Sequence, residues 1–121
     1  MKFRYEDLKV TGLVLDFIDV VYASAERFPS QEKFELAGQI RRAAQSVLLN
    51  IAEGSARNSK ADFARFLQMS LGSLTEVHAA LKIAARRDYL TDRDIQCISD
   101  KMEPIWFKLC ALRDSQRVRS H

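Results

Sequence analysis

The residues best placed to do chemistry in this chain lie along one stretch read at helical spacing. Arg42, Ser46, Asn50 and Glu53 recur at i, i+4, i+8 and i+11, so a helix gathers them into one polar stripe. Ile40, Ala44, Val47 and Ile51 form an apolar stripe on the same rod, with Ala43 and Ala52 small enough to admit a close neighbour. Two chemistries fit an Arg-Ser-Asn-Glu seam beside a core stripe. One is a hydrogen-bonded network that fixes the register of packed helices. The other is a polar pocket for a ligand. If a short turn joins this helix to the next, residues whose numbers sum to about 118 should oppose each other. That register sets Arg42 against Glu76, Ser46 against Gly72 and Ser73, Asn50 against Gln68, and Glu53 against Arg65. Every seam residue then has a partner, so the seam reads as a structural register lock.

Other reactive residue types lack the company that chemistry needs. A di-iron carboxylate site in a helical bundle uses Glu-x-x-His motifs from two helices, whereas this chain offers Glu76-Val77-His78 and only one further histidine, His121. Neither Cys97 nor Cys110 has a histidine nearby in sequence, no serine sits on a glycine elbow, and no glycine-rich loop could cradle phosphate. No metal site, cofactor or enzymatic activity is therefore expected. Basic residues carry more promise. Arg41, Arg57, Lys60 and Arg65 are expected around the second connection, Lys82, Arg86 and Arg87 near the end of the third helix, and Lys108, Arg113, Arg117 and Arg119 toward the tail. Solvated faces and helix-dipole partners explain such residues in part. A phosphate-binding surface, with Arg41, Arg57, Lys60, Arg86, Arg87, Arg113 and Arg117 as its candidates, is the functional alternative.

The elements that must position these groups are four helices. The first is expected over about 7–27, with stripes Leu8, Leu15, Ile18, Tyr22 and Val14, Phe17, Val21 side by side; so much apolar surface hints at oligomerisation. Phe28-Pro29 breaks it, Ser30 can cap a second helix over about 31–54, and Gly54 can end that helix. Asn58 or Ser59 can cap a third helix over about 60–87, whose interior Gly72 suggests close approach by a neighbour. Thr91 and Asp94 resemble a capping box opening a fourth helix over about 92–113, with Pro104 expected to kink it. A polar, fraying tail is expected over 114–121. Short connections between four such helices imply one domain, an all-α antiparallel up-down-up-down bundle.

The 121 residues suffice for one core. Only 4 Gly and 2 Pro favour long helices, and a net charge of +3 permits an acidic partner without requiring one. No apolar run approaches the roughly 18 residues of a membrane span, so no membrane partner is expected. Residues 1–7 do not resemble a secretory leader. The two cysteines lie on roughly opposite sides of the fourth helix and cannot pair within it; free thiols suit a cytoplasmic protein.

Tyr5-Glu6-Asp7-Leu8, Phe28-Pro29, Gln39-Ile40-Arg41-Arg42-Ala43-Ala44-Gln45-Ser46, Asn50-Ile51-Ala52-Glu53-Gly54, Phe66-Leu67 and Gly72-Ser73-Leu74-Thr75-Glu76 occur in order, and the resemblance they carry covers about residues 3 to 113. In these motifs the chain resembles a bacterial family of four-helix bundle proteins met as reading frames in intervening sequences of 23S ribosomal RNA genes. That family is similar to the accessory variability determinant of diversity-generating retroelements. The resemblance implies a homopentameric barrel with a basic surface, which in the retroelement members binds nucleic acid and the reverse transcriptase. It implies no catalytic residues. Leu48 stands where many relatives have proline, Asp88 where glycine is usual and Ser70 where alanine is common. The resulting expectation is a non-enzymatic homo-oligomer, its own first partner, that binds RNA or DNA through basic surfaces. The alternative is a scaffold that docks a partner protein, such as a reverse transcriptase, without touching nucleic acid.

Overall fold

A computed structural model describes residues 1–117, so Arg119 and His121 lie outside the described residues. The chain opens with a 3-10 turn over Arg4–Asp7. Four α-helices follow: α1 (Lys9–Ala25), α2 (Leu36–Ser55), α3 (Lys60–Arg86) and α4 (Asp92–Ser115). No strand occurs among the described residues. Each helix packs on two others, α1 on α2 and α4, and α3 on α2 and α4, while the diagonal pairs do not touch. This closed square of contacts is a four-helix bundle.

Local chemistry explains where the helices begin and end. Ser59 caps α3 by accepting from the Asp62 amide at 3.0 Å. Thr91 and Asp94 form a reciprocal capping box at the start of α4: the Thr91 amide donates to Asp94 Oδ2 at 2.9 Å and the Asp94 amide to Thr91 Oγ1 at 3.1 Å. The end of α3 is a Schellman arrangement. The Tyr89 amide reaches the Ala84 carbonyl at 2.9 Å and the Asp88 amide reaches Ala85 at 3.1 Å. Asp88 supplies the left-handed residue this needs, at φ 60°.

Three local expectations are corrected. The second helix starts at Leu36 rather than near 31, because Ser30–Glu32 turns as a short 3-10 element and Ser30 makes no side-chain cap. The buried stripe begins only with Leu36, Ala37 and Ile40, so residues 31–35 have no core face to hold them in a helix. Gly54 does not terminate α2. It is helical and buried, and α3 lies hard against it. Gly72 has no neighbouring atom within 4 Å of where a Cβ would stand, so nothing among the described residues requires a glycine there.

The core is strongly aliphatic. Val14, Phe17 and Val21 of α1 are fully buried, whereas Leu15 is 48% exposed and Ile18 and Tyr22 stand half-buried at the rim. Of the two stripes on α1, one faces the bundle and the other lies along its edge. Helix α4 stays continuous through Pro104, which sits on the solvent side. Among the described residues, no helix is long and apolar enough to cross a membrane.

Candidate functional site

Helices α2 and α3 meet along a tight seam. Ser70, fully buried, donates to the Val47 carbonyl at 2.7 Å, and Ser73 donates to Ser46 Oγ at 2.9 Å. Asn50 turns back along its own helix, donating to the Ser46 carbonyl at 2.9 Å and to Ser46 Oγ at 3.0 Å. Of the four cross-helix pairs expected from the sequence, only Ser46 with Ser73 is hydrogen-bonded. Glu53 pairs instead with Arg57 at 3.1 Å, Arg65 with Asp62 at 3.5 Å, and Gln68 accepts from Arg113 of α4 at 2.7 Å. Arg42 and Glu76 are both exposed and form no ion pair among the described residues. The Arg42 guanidinium reaches back over Gly38, with Nη1 3.0 Å from where a Cβ would stand. The physical reason is solvent. Glu53 and Arg65 reach exposed partners three or four residues away in sequence, and the short, half-buried Ser46 and Ser73 pair across the two helices.

The two ends of the bundle differ in charge. One end joins the Arg4–Asp7 turn, the start of α1, the α2–α3 connection and the last turns of α4. Arg4 sits 5.0 Å from the centre of the Phe63 ring, tying the first turn to α3. Lys9 and Lys108 flank one shallow cleft with Val10 and Leu112, tying α1 to α4. Nine basic residues stand at this end: Lys2, Arg4, Lys9, Arg57, Lys60, Arg65, Lys108, Arg113 and Arg117. They face five acidic ones, Glu6, Asp7, Glu53, Asp62 and Asp114. The rest of the described chain carries nine basic against eleven acidic residues. The excess positive charge therefore belongs to one end.

That end also holds its arginines in place. Arg57 and Arg65 lie 4.8 Å and 4.7 Å from the centre of the Phe66 ring, a buried platform that fixes both guanidinium groups while leaving their N–H donors toward water. Their partners Glu53 and Asp62 are substantially exposed, as is Asp114, which pairs with Arg113 at 3.0 Å and Arg117 at 3.4 Å. The Arg113 hydrogen bond first, then its charge and that of Arg117, hold the Asp114 carboxyl below the usual carboxylate value, and the same bond raises Arg113. Exposed pairs of this kind are screened by water and hold their partners weakly, so a phosphate can replace the carboxylate at little cost. Lys9, Lys60 and Lys108 have no ion-pair partner among the described residues.

The candidate basic residues thus divide. Arg57, Lys60, Arg113 and Arg117 share the basic end. Arg41 does not join them at the second connection. It lies at the opposite end, where it donates to the Lys33 carbonyl at 3.1 Å, because it belongs to the first turns of α2. Arg86 and Arg87 close α3 at that opposite end as well. Sequence reading missed Arg4 and Lys9 as members of the cluster and Ser70 as a cross-helix donor. A serine in the middle of the Phe63, Phe66, Leu67, Leu71, Leu74 stripe was the available signal for the last. No group of His, Cys, Asp and Glu suited to a metal ion occurs among the described residues.

These features define an all-α four-helix bundle with one basic end. Residues 6–110 match the family described as 23S rRNA-intervening sequence protein, and the chain belongs to that family. Among solved structures it is similar to a protein of unknown function from the S23 ribosomal protein family of Bacteroides thetaiotaomicron. The two share 25% identity and a TM-score of 0.78 over 85% of this chain and 96% of that one. No curated protein matches it.

Proposed function

We propose that the protein is a non-enzymatic, homo-oligomeric bundle that binds RNA or DNA through its basic end. Its helices run antiparallel, up-down-up-down, and copies assemble into a barrel, with five the number the family resemblance suggests. The helix direction is supported by the contacts of Ser46 with Ser73, Val47 with Ser70 and Gly54 with Phe63, whose residue numbers fall as their partners' rise. The observation that carries the nucleic-acid reading is the separation of charge, nine basic residues against five at one end and an acidic excess elsewhere. A ring would repeat that end and sum its field, which raises the local concentration of a polyanion. RNA is the first ligand to test, since the family is described by a 23S rRNA intervening sequence.

The test is fluorescence anisotropy with a labelled RNA stem-loop and a DNA duplex between about 50 and 200 mM salt. Binding that weakens steeply with salt is expected, and it should fall for a Lys9→Glu, Lys60→Glu, Lys108→Glu variant more than for Arg86→Glu, Arg87→Glu. Absence of binding to either ligand at the lowest salt overturns the proposal.

A further inference from the structure

Phe34 is the most exposed aromatic residue among the described residues, 84% accessible. It is not loosely presented. Arg41 of α2 grips the preceding carbonyl, Lys33 O, at 3.1 Å. Gly38 lets that carbonyl lie against the helix, 3.5 Å from where a Cβ would stand. Lys33 places its ammonium 6.0 Å from the Phe34 ring centre. The chain therefore builds an aromatic knob with Lys33 on one side of it in sequence and Glu35 on the other.

A matching recess lies between α3 and α4. It is a groove of about 410 Å³ floored by Leu74 and Met102 and walled by Thr75, Trp106 and Phe107, with Glu103 at its edge. Trp106 and Phe107 are 40% and 62% exposed, an unusual concentration of aromatic surface on a helix otherwise polar outside. The molecule's own knob cannot fill it. Phe34 precedes α2, and α2 does not touch α4.

We propose that Phe34 of one copy seats in the α3–α4 groove of a second copy, with Lys33 meeting Glu103. Chemistry selects this occupant: an aromatic ring suits a groove of aromatic, Met and Leu side chains, and Lys33 beside the knob is opposite in sign to Glu103 at the groove's edge. Knob and groove are different surfaces of one chain, so the contact is head-to-tail and adds copies in series, closing into a ring where the rotation permits. It also gives Arg41 a role as a positioning residue for the knob. The inference rests on the self-assembly part of the function proposed above and on none of its nucleic-acid part.

Sedimentation velocity of the full chain over a concentration series, without nucleic acid, tests it. Concentration-dependent assembly is expected, weakened at least tenfold by Phe34→Ser, by Thr75→Arg and by Lys33→Glu. Phe34, Thr75 and Lys33 are all exposed, so circular dichroism melts should be unchanged within a few degrees. Glu103→Lys combined with Lys33→Glu should restore assembly. Mixing Phe34→Ser with Thr75→Arg leaves one intact knob and one intact groove, so the mixture should form a 1:1 dimer and grow no further. A wild type that stays at 13.9 kDa throughout, or assembly that Phe34→Ser leaves unchanged, overturns the proposal. Assembly that behaves as expected while RNA and DNA fail to bind overturns only the nucleic-acid reading.

Discussion

A side-chain carbon built on Gly54 would stand 2.6 Å from Phe66 Cβ and 3.0 Å from Phe63 Cδ1, so α2 meets α3 here backbone against ring. Gly54 is inside the helix, and its glycine identity serves close approach rather than a turn. The contact also supports the basic end, since Phe66 is the platform for Arg57 and Arg65. Gly54→Ala gains about 0.5–1 kcal/mol of helix preference but forces overpacking that costs typically 1–3 kcal/mol. A net loss of about 1–2 kcal/mol is expected in urea unfolding. A neutral or stabilising result would show that the two helices separate freely at this point.

Two other glycines should respond with the opposite sign. Gly12 of α1 and Gly72 of α3 are helical and exposed, and nothing lies within 4 Å of where their Cβ atoms would be. Gly12→Ala and Gly72→Ala should each stabilise by about 0.5–1 kcal/mol through helix preference and the unfolded chain. A loss at either position, measured on the assembled protein and absent from the monomer, would locate a close contact between copies.

Asp88 closes α3 in a left-handed conformation at φ 60°, where most side chains crowd the following carbonyl. The Schellman bonds from Tyr89 to Ala84 and from Asp88 to Ala85 form in spite of it. Asp88→Gly should therefore raise stability by about 0.5–1 kcal/mol, and Asp88→Val should lower it by more than that. Thermal unfolding of the three proteins orders them Gly, Asp, Val, and an unchanged melting point for the glycine variant would count against strain at this residue.

The sequence showed its bundle through periodicity, and its helix ends through caps that mostly act locally. Ser59 and Thr91 with Asp94 work within one turn, so neighbours in sequence suffice to read them. The seam was legible only at its centre. Ser46 and Ser73 are short and half-buried, so the helix register decides their partner. Glu53 and Arg65 are long and exposed, and a partner nearby in sequence wins over a cross-helix one. The start of α2 was misread because Gln31, Glu32 and Glu35 look like a helix opening, while only burial from Leu36 onward makes one. The basic end was half legible. Arg57 and Lys60 are neighbours in sequence, but Arg4, Lys9, Lys108 and Arg113 arrive from other helices. Ser70 illustrates the same limit from the core side. Its bond to the Val47 carbonyl is a tertiary contact, and Ser70→Ala should cost about 0.5–1.5 kcal/mol, measured by chemical unfolding.

The capping box at α4 makes the last prediction, one of pH. Asp94 accepts from the Thr91 amide and, at 3.1 Å, from Arg27 in the turn that follows α1, joining the end of α1 to the start of α4 at the end opposite the basic cluster. The Thr91 amide first, then the Thr91 hydroxyl and Arg27, lower its carboxyl below the usual 3.8, with burial opposing. A carboxyl lowered in the folded state stabilises the protein fully above its unfolded value, and that stabilisation is lost as pH falls through the folded value. Asp94→Ala should therefore cost about 0.5–2 kcal/mol near neutral pH. The gap between variant and wild type should hold down to about pH 5 and narrow below pH 4, as the wild-type carboxyl takes up its proton. Arg27→Ala should remove only a small part of it, since the amide bond dominates. Urea unfolding of the three proteins at several pH values measures this directly. A gap that stays constant through the acid range would show that Asp94 acts by shape alone and not by its charge.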